Sequence, residues 1–210
     1  MSSKREALLS AAKDLLWEHG YEAMSPAKVL EASGAGQGSL YHHFKGKKDL
    51  ALAALEQVSA EMQSEIRRLF DGTGRPLARV EEYLLSKRDG VKGSRLGRLA
   101  LEYSILTDDE LRQPIANYFS LVEEKIRNAV RDAAQLGLIN PDLDADQVAV
   151  TLVAMIEGGF LLSRVHKNPA PMERAAQGAL FMLRALATRD IPNWMKRTDA
   201  PAVTRRTPNA

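Results

Sequence analysis

Hydrophobic residues recur at three- and four-residue steps along most of this chain, which is the period of an α-helix. No segment alternates between apolar and polar residues as a half-buried strand does. The segments with the helical period are, in chain order, 5–19, 26–32, 37–44, 47–70, 76–87, 96–106, 107–136, 144–165 and 171–186. The pattern therefore predicts an all-α protein of about nine helices.

Turn and capping residues divide the first fifty residues into three short helices. Gly20 ends the first, because a glycine can take the left-handed conformation that follows many helices. Ser25 offers a capping hydroxyl and Pro26 suits the first turn of the second helix. The turn at 33–36 is rich in glycine and too short to be a flexible linker. Two helices joined by such a turn predict a helix-turn-helix.

Two later helices carry informative irregularities. Pro114 interrupts the helix that starts at the acidic run 107–110, so either that helix is kinked or it begins at Pro114 after a separate turn. The segment 144–165 is apolar on almost every side, and a second copy of the chain covers the extra face most easily. We assign the Gly158–Gly159 pair within it to helix packing at that interface. The pattern thus predicts a homodimer formed through the last two long helices.

Composition excludes several classes of function. With 45% hydrophobic and 27% charged residues, the 210-residue chain can bury a sizeable core. The absence of cysteine excludes disulfides, thiolate metal sites and thiol nucleophiles. The net charge of +2 gives no global field, so a nucleic-acid partner must be argued from local geometry. No secretory signal is visible, and the apolar stretch 148–156 is far shorter than the roughly 20 residues that span a bilayer. We expect a cytoplasmic protein with no membrane partner.

The third predicted helix carries side chains suited to DNA. Its first turn holds Gln37, Gly38 and Ser39, whose small or amide side chains can approach base edges. Tyr41 and His42 fall on its outer side, where a phenol and an imidazole can donate to phosphate oxygens. Tyr41 could alternatively pack inside a three-helix core.

The run 34–50, together with 17–21 and Ser25, resembles the DNA-binding domain of the tetracycline-repressor (TetR) family of transcriptional regulators. The likeness lies in the run Gly-Ser-Leu-Tyr-His-His-Phe, the lysines after it and the Gly-Tyr pair upstream, all at the family's spacing. In that family three such helices form a DNA-binding head, and a variable helical body dimerises and binds effectors. The resemblance thus implies a helix-turn-helix domain over 1–48 and an effector-binding and dimerisation domain over 49–190.

The remaining segment, 191–210, breaks every periodicity with proline and polar residues and is expected to be disordered.

By the same resemblance, a set of positions in the head is expected to touch DNA: Ser25, Gln37, Gly38, Ser39, Tyr41, His42 and Lys47. We add Lys28, an exposed cation nearby. Gln37 is the candidate for base reading, because a carboxamide can pair bidentately with adenine. Trp17 and Tyr21 are assigned to the protein core.

The C-terminal part, through 93–102 and 157–160, resembles the LmrA/YxaF subgroup of the same family and departs from it at Ser94, where we expect a cysteine. In the family, the segment matching 96–106 presses on the long helix that starts at Lys47 and transmits the state of the pocket. Polar residues within apolar helices could line an effector cavity, namely Arg98, Glu102, Tyr103, Tyr118, Glu157 and Arg164. They could equally be surface charges or intramolecular ion pairs.

These features predict a sequence-specific regulator, most simply a homodimeric repressor that a small-molecule effector releases from double-stranded operator DNA. The rival hypotheses are a helical enzyme acting on a small molecule and a nonspecific DNA-binding protein. We find no nucleophile–base–acid set, no phosphate-binding glycine motif and, at His42–His43, no metal-ligand spacing. We therefore expect no catalysis, no cofactor and no bound metal.

Overall fold

The computed structural model of the protein describes residues 3–72 and 74–186, and the structural statements below concern those residues. Every regular element in them is helical, which confirms the predicted all-α fold class. The elements are, in order, α1 (Lys4–His19), α2 (Pro26–Ser33), α3 (Gln37–His43), α4 (Lys47–Phe70), α5 (Pro76–Leu85), a 3-10 turn (Leu99–Leu101), α6 (Tyr103–Leu106), α7 (Asp109–Gln135), α8 (Ala145–His166) and α9 (Ala170–Leu186). The predicted disordered tail, 191–210, lies outside the described residues.

The first three helices pack together and on the start of α4, with the predicted turn chemistry. Gly20 ends α1 with φ 87°, and Gly34 ends α2 with φ 65°, conformations that a side chain disfavours. The Ser25 hydroxyl accepts a hydrogen bond from the Lys28 amide and caps α2 as predicted. Leu40 is fully buried beneath α3. This helix is therefore anchored by its apolar side and leaves its polar side to solvent.

The long helix α7 begins at Asp109 and runs through Pro114, so the alternative start at Pro114 is excluded. The Asp108 side chain caps it by accepting hydrogen bonds from the amides of Glu110 and Leu111, at 3.1 and 3.3 Å. The carbonyl of Pro114 accepts a buried hydrogen bond of 2.6 Å from the Ser59 hydroxyl of α4. The proline position thus joins the two helices that form the centre of the body.

The prediction of one helix over 96–106 is wrong. The structure has a 3-10 turn, then Glu102 in an extended conformation (φ −89°, ψ 128°), then the single turn of α6. The extended residue directs its carboxylate to the turn after α1, where it accepts hydrogen bonds from the amides of Tyr21 and Glu22 at 3.0 and 2.7 Å. These bonds between distant segments replace the helical ones that a continuous helix would make.

The helix α8 packs against α7 and α9 of its own chain. A Cβ at Gly159 would lie 2.9 Å from the Cβ of Ala175 in α9, so this glycine allows the two helices to approach closely. Its assignment to an interface between two copies is therefore wrong. Gly158 has no atom within 4 Å of the corresponding position and borders a cavity instead.

Large apolar side chains on the outer side of α8 and α9 are half or more exposed, namely Val150, Leu161, Leu162, Val165, Phe181 and Met182. By length and composition alone, α8 could also cross a membrane, with 33% of its most apolar window buried. That is weak support for a membrane span, because core helices of other proteins pass the same test. The set of six side chains is called the α8–α9 apolar face below.

Candidate DNA-binding surface and effector cavity

The polar side of α3 forms an exposed surface at one end of the molecule. Gln37, Gly38 and His42 are exposed, and Ser39 is half-buried. Tyr41 is 54% exposed, which rules out the alternative that it packs inside the head. Five of the predicted contact positions therefore lie together on one short helix, as a major-groove surface requires.

The remaining predicted positions surround the turn between α1 and α2. The Lys28 ammonium donates to the carbonyl of Ala23 at 2.9 Å, and that of Lys47 donates to the carbonyl of Glu22 at 3.3 Å. Lys47 also lies 4.5 Å from the ring centroid of Tyr21. Both lysines thus flank the same turn, where their charges are available to a phosphate backbone.

Lys45 was not among the predicted contact positions, because it falls in the loop after α3 rather than on a helix face. Its side chain is exposed, and its amide donates to the Asp49 carboxylate at 2.9 Å. An exposed cation directly after the recognition surface suits contact with a phosphate. Its place directly after the predicted recognition helix was the feature of the sequence that could have identified Lys45 as a phosphate contact.

A cavity of about 280 Å³ opens inside the body between α4, α5, α7, α8 and the segment 86–95. A neighbouring cavity of about 270 Å³ lies between the segment 93–101 and α8. The two share Gly93, Ser94, Glu157 and Phe160 in their walls. Their common wall makes them two chambers of one candidate effector site, called the first and second chamber below.

The first chamber combines buried phenols with a half-buried carboxyl group, that of Glu157. Tyr83 and Tyr118 are 5% and 8% exposed, and burial raises the pKa of both phenols, that of Tyr83 to about 12. Burial also raises the pKa of Glu157 to about 7, against a hydrogen bond with Ser94 that lowers it. Neutral phenols and a carboxyl group that is partly protonated near pH 7 can each donate a hydrogen bond to a ligand.

The predicted effector residues divide into two groups. Tyr118 lines the first chamber, Arg98 and Arg164 line the second, and Glu157 lines both. Glu102 and Tyr103 line neither chamber, since Glu102 binds the turn after α1 and Tyr103 is 77% exposed. Glu102 and Tyr103 therefore follow the alternative expectation, that such polar residues make contacts within the chain or lie at the surface.

Trp17 lies at the boundary between the head and the first chamber rather than in the core of the head. Its indole Nε1 donates to the carbonyl of Gly93 at 2.9 Å, and the Lys92 ammonium lies 3.8 Å from its ring centroid. The sequence offered no signal for this position, because the contact joins residues 76 apart in the chain.

Hydrogen bonds join the second chamber directly to the head. The Arg98 guanidinium donates to the carbonyl of Trp17 in the last turn of α1. Glu102 binds two amides of the next turn, and a Cβ at Gly20 would clash with its carboxylate. The Ser104 hydroxyl donates to the Glu22 carboxylate at 3.0 Å. The segment 98–104, which begins in the wall of the second chamber, therefore holds the end of α1 and the turn that leads to α2.

A second link lies at the start of α4, next to α3. The Lys48 ammonium is 2.8 Å from the Asp108 carboxylate and 2.5 Å from that of Glu110. The hydrogen bond from Lys48 lowers the pKa of Asp108. The three side chains are 27–66% exposed, so these two ion pairs orient the two helices more than they stabilise them.

Among the described residues, no group of three or more histidine, aspartate and glutamate side chains could hold a metal ion.

Comparison with known proteins agrees with this geometry. Residues 8–54 match the family described as "Bacterial regulatory proteins, tetR family", and residues 88–179 match "Tetracyclin repressor-like, C-terminal domain". The chain is 29% identical over 178 residues to the HTH-type transcriptional regulator LmrA of Bacillus subtilis (strain 168), covering 80% of this chain and 90% of LmrA. It is 27% identical to the uncharacterized HTH-type transcriptional regulator YxaF of the same organism, covering 86% and 95%.

Among solved structures, the chain is similar to the crystal structure of regulatory protein TetR from Rhodobacter sphaeroides. The TM-score is 0.74 at 26% identity, covering 85% of this chain and 97% of that one. The two matched ranges include the recognition helix α3 and every residue in the wall of the second chamber, whereas the α4 and α5 walls of the first chamber lie between them. The chain belongs to the TetR family of bacterial transcriptional regulators.

Proposed function

We propose that this protein is a homodimeric repressor that binds operator DNA through residues 1–48 and is released by a small-molecule effector bound in the domain over 49–190. The observation that carries the proposal is the exposed polar side of α3, presented on a helix that Leu40 anchors. The effector acts by preferring a conformation in which the heads no longer fit adjacent grooves. Regulation then requires binding alone, and no catalytic step is assigned to the protein.

The α8–α9 apolar face supports the homodimer through the last two long helices. One short recognition helix reads only a few base pairs, whereas two heads about 34 Å apart read two half-sites one turn of DNA apart. Six large apolar side chains exposed on adjacent helices are also costly to leave in water. A second copy of the chain, and not a lipid bilayer, covers this face. The dimer acts in the cytoplasm, where the DNA is.

Selection of bound fragments from genomic DNA tests the proposal. We expect the full-length protein to enrich one family of pseudo-palindromic sites, with half-sites about one helical turn apart. Binding to an enriched site in excess competitor DNA should decrease moderately between two salt concentrations. Uniform recovery of fragments would instead favour the nonspecific DNA-binding protein.

Gln37→Ala should relax the preference for one base pair in each half-site by about 1–3 kcal/mol, because the lost carboxamide can pair with a base edge. Lys47→Ala should weaken binding to all sequences alike, since an ammonium on the phosphate backbone carries no sequence information. Affinities measured by fluorescence anisotropy against a panel of single-base variants check both results. The assigned roles are reversed if Lys47→Ala changes the preferred sequence and Gln37→Ala does not.

Glu157→Gln should stabilise the protein more at pH 8 than at pH 5. The raised pKa of about 7 means that the folded state holds a proton that the unfolded state releases near pH 4.5, so the wild-type free energy of unfolding falls as the pH rises through this window. The loss of stability that comes from ionising Glu157 in the folded protein is fully present above pH 7. We expect it to be about 1–2 kcal/mol there, because the chamber admits some water. Denaturant unfolding of the wild type and of Glu157→Gln at both pH values measures this difference in the free energy of unfolding. The exposed Glu82 of α5, changed to Gln, is the matched control and should show no such difference.

A further inference from the structure

Two arginines in the second chamber bind backbone carbonyls and no carboxylate. Arg98 donates to the carbonyl of Trp17, and Arg164 donates to that of Lys92 at 3.0 Å. Neither forms an ion pair with any carboxylate of the described residues. A guanidinium has five N–H donors, and a single carbonyl uses few of them. Both side chains therefore have donors left for a ligand in the chamber.

The two guanidinium groups also repel one another. Burial lowers the pKa of Arg98 first, the charge of Arg164 lowers it further, and the charge of Glu102 opposes both effects. Most of the other residues in the walls are apolar or glycine, namely Gly93, Gly97, Leu101, Gly158, Phe160 and Leu161. Two neighbouring cations in partly apolar surroundings are stabilised by an anion that reaches both.

Glu157 is the acidic residue in the same wall, and its carboxyl group repels an anionic ligand only when it is ionised. Its pKa of about 7 leaves a large share of the carboxyl groups protonated at neutral pH. In that form it donates a hydrogen bond to an acceptor instead of repelling it.

We propose that the second chamber binds a small organic acid, with its carboxylate on Arg98 and Arg164 and its apolar body against Phe160 and Leu101. A planar carboxylate matches the fork of a guanidinium, and the apolar walls favour an aromatic or aliphatic body over a hydrophilic one. This inference rests on the proposed function, because it names the chemical class of the effector.

The contact between Arg98 and the carbonyl of Trp17 explains how binding of such a ligand affects the head. A carboxylate bound to Arg98 competes with the carbonyl of Trp17 for the guanidinium. Glu102, in the same segment, holds the amides of Tyr21 and Glu22 and moves with it. The ligand therefore favours a state in which the end of α1 is released, and operator and acid oppose each other's binding. This route leads through the turn after α1, in addition to the expected contact with α4.

Isothermal titration calorimetry of the full-length protein with naphthoate, naphthamide and naphthylmethylamine tests the chemical class. These probes share one apolar body and differ in charge. Naphthoate should bind about tenfold or more tightly than the amide, and the amine should bind most weakly. Equal or tighter binding of the amide or the amine would overturn the inference.

Arg164→Met keeps the head contacts, because within residues 3–72 and 74–186 the Arg164 side chain donates only to the carbonyl of Lys92. It should weaken naphthoate binding about tenfold or more and leave naphthamide unchanged. Arg68→Met, at an exposed position of α4 outside both chambers, is the matched control and should change neither. An unchanged preference for the acid in Arg164→Met contradicts the assigned site.

Operator release distinguishes this inference from the proposed function. With a selected operator, naphthoate should raise the Kd about tenfold or more, and Arg98→Met should lose that response. If the operator is bound and the amide releases it as well as the acid does, the repressor function stands and the organic acid is wrong. If no operator is selected, the proposed function fails, while the calorimetric preference for the acid still decides the inference.

Discussion

Replacing both Val165 and Phe181 by glutamate is expected to give a monomer that binds the operator at least about 100-fold more weakly than the wild-type protein. The two side chains are 68% and 75% exposed and belong to the α8–α9 apolar face, outside both chambers. Like charges facing each other across a symmetric contact repel, and a single head loses the benefit of two linked half-sites. Sedimentation velocity and fluorescence anisotropy measure the two effects.

Leu136→Glu is the control for this pair of substitutions. Leu136 is 66% exposed, caps the end of α7 and is not one of the six side chains of the α8–α9 apolar face. The variant should remain dimeric and bind the operator as the wild type does. A dimeric double variant with normal affinity would refute the assignment of the interface to α8 and α9.

Gly20→Ala should lower the free energy of unfolding by about 2–4 kcal/mol and weaken operator binding. The residue has φ 87° and ψ 174°, a region that only glycine adopts readily, at a cost of about 1–3 kcal/mol for other residues. A methyl group there also clashes with the Glu102 carboxylate, which binds the turn after α1. Strain and lost contact therefore act on the same junction of head and body.

Gly34→Ala separates the two causes. Gly34 also has a positive φ, of 65°, but no atom lies within 4 Å of its Cβ position. This variant should lose only about 1 kcal/mol, measured by the same denaturant unfolding. Adding Glu102→Ala to Gly20→Ala should recover part of the loss by removing the clash. Equal losses in the two glycine variants would show that the contact with Glu102 does not matter.

Most helices could be predicted because their signals are local. The Ser25 side chain caps α2 by binding the amide of Lys28, three residues later in the chain. Gly20 directly follows α1 and ends it. The segment 96–106 misled the prediction because its apolar residues keep helical spacing, whereas Glu102 has partners 80 and 81 residues away. A local period cannot report a hydrogen bond across that distance.

The candidate site was predictable in the head and only partly in the body. The exposed side of α3 follows from one helical period, so Tyr41 and His42 fall outside as expected. A polar residue within an apolar helix carries no sign of its partner. Glu157 and Tyr103 therefore resembled one another in sequence, although one borders both chambers and the other faces solvent.

The amino-acid sequence alone determined the helical class, the position of the helix-turn-helix and the polar side of its recognition helix, since each depends on residues within one or two turns of each other. The tertiary structure alone decided which polar side chains enclose the chambers, that Arg98 and Glu102 hold the end of α1, and that Gly159 packs inside one chain. Those features depend on packing between distant segments, where burial and hydrogen-bond geometry are properties of the folded chain as a whole.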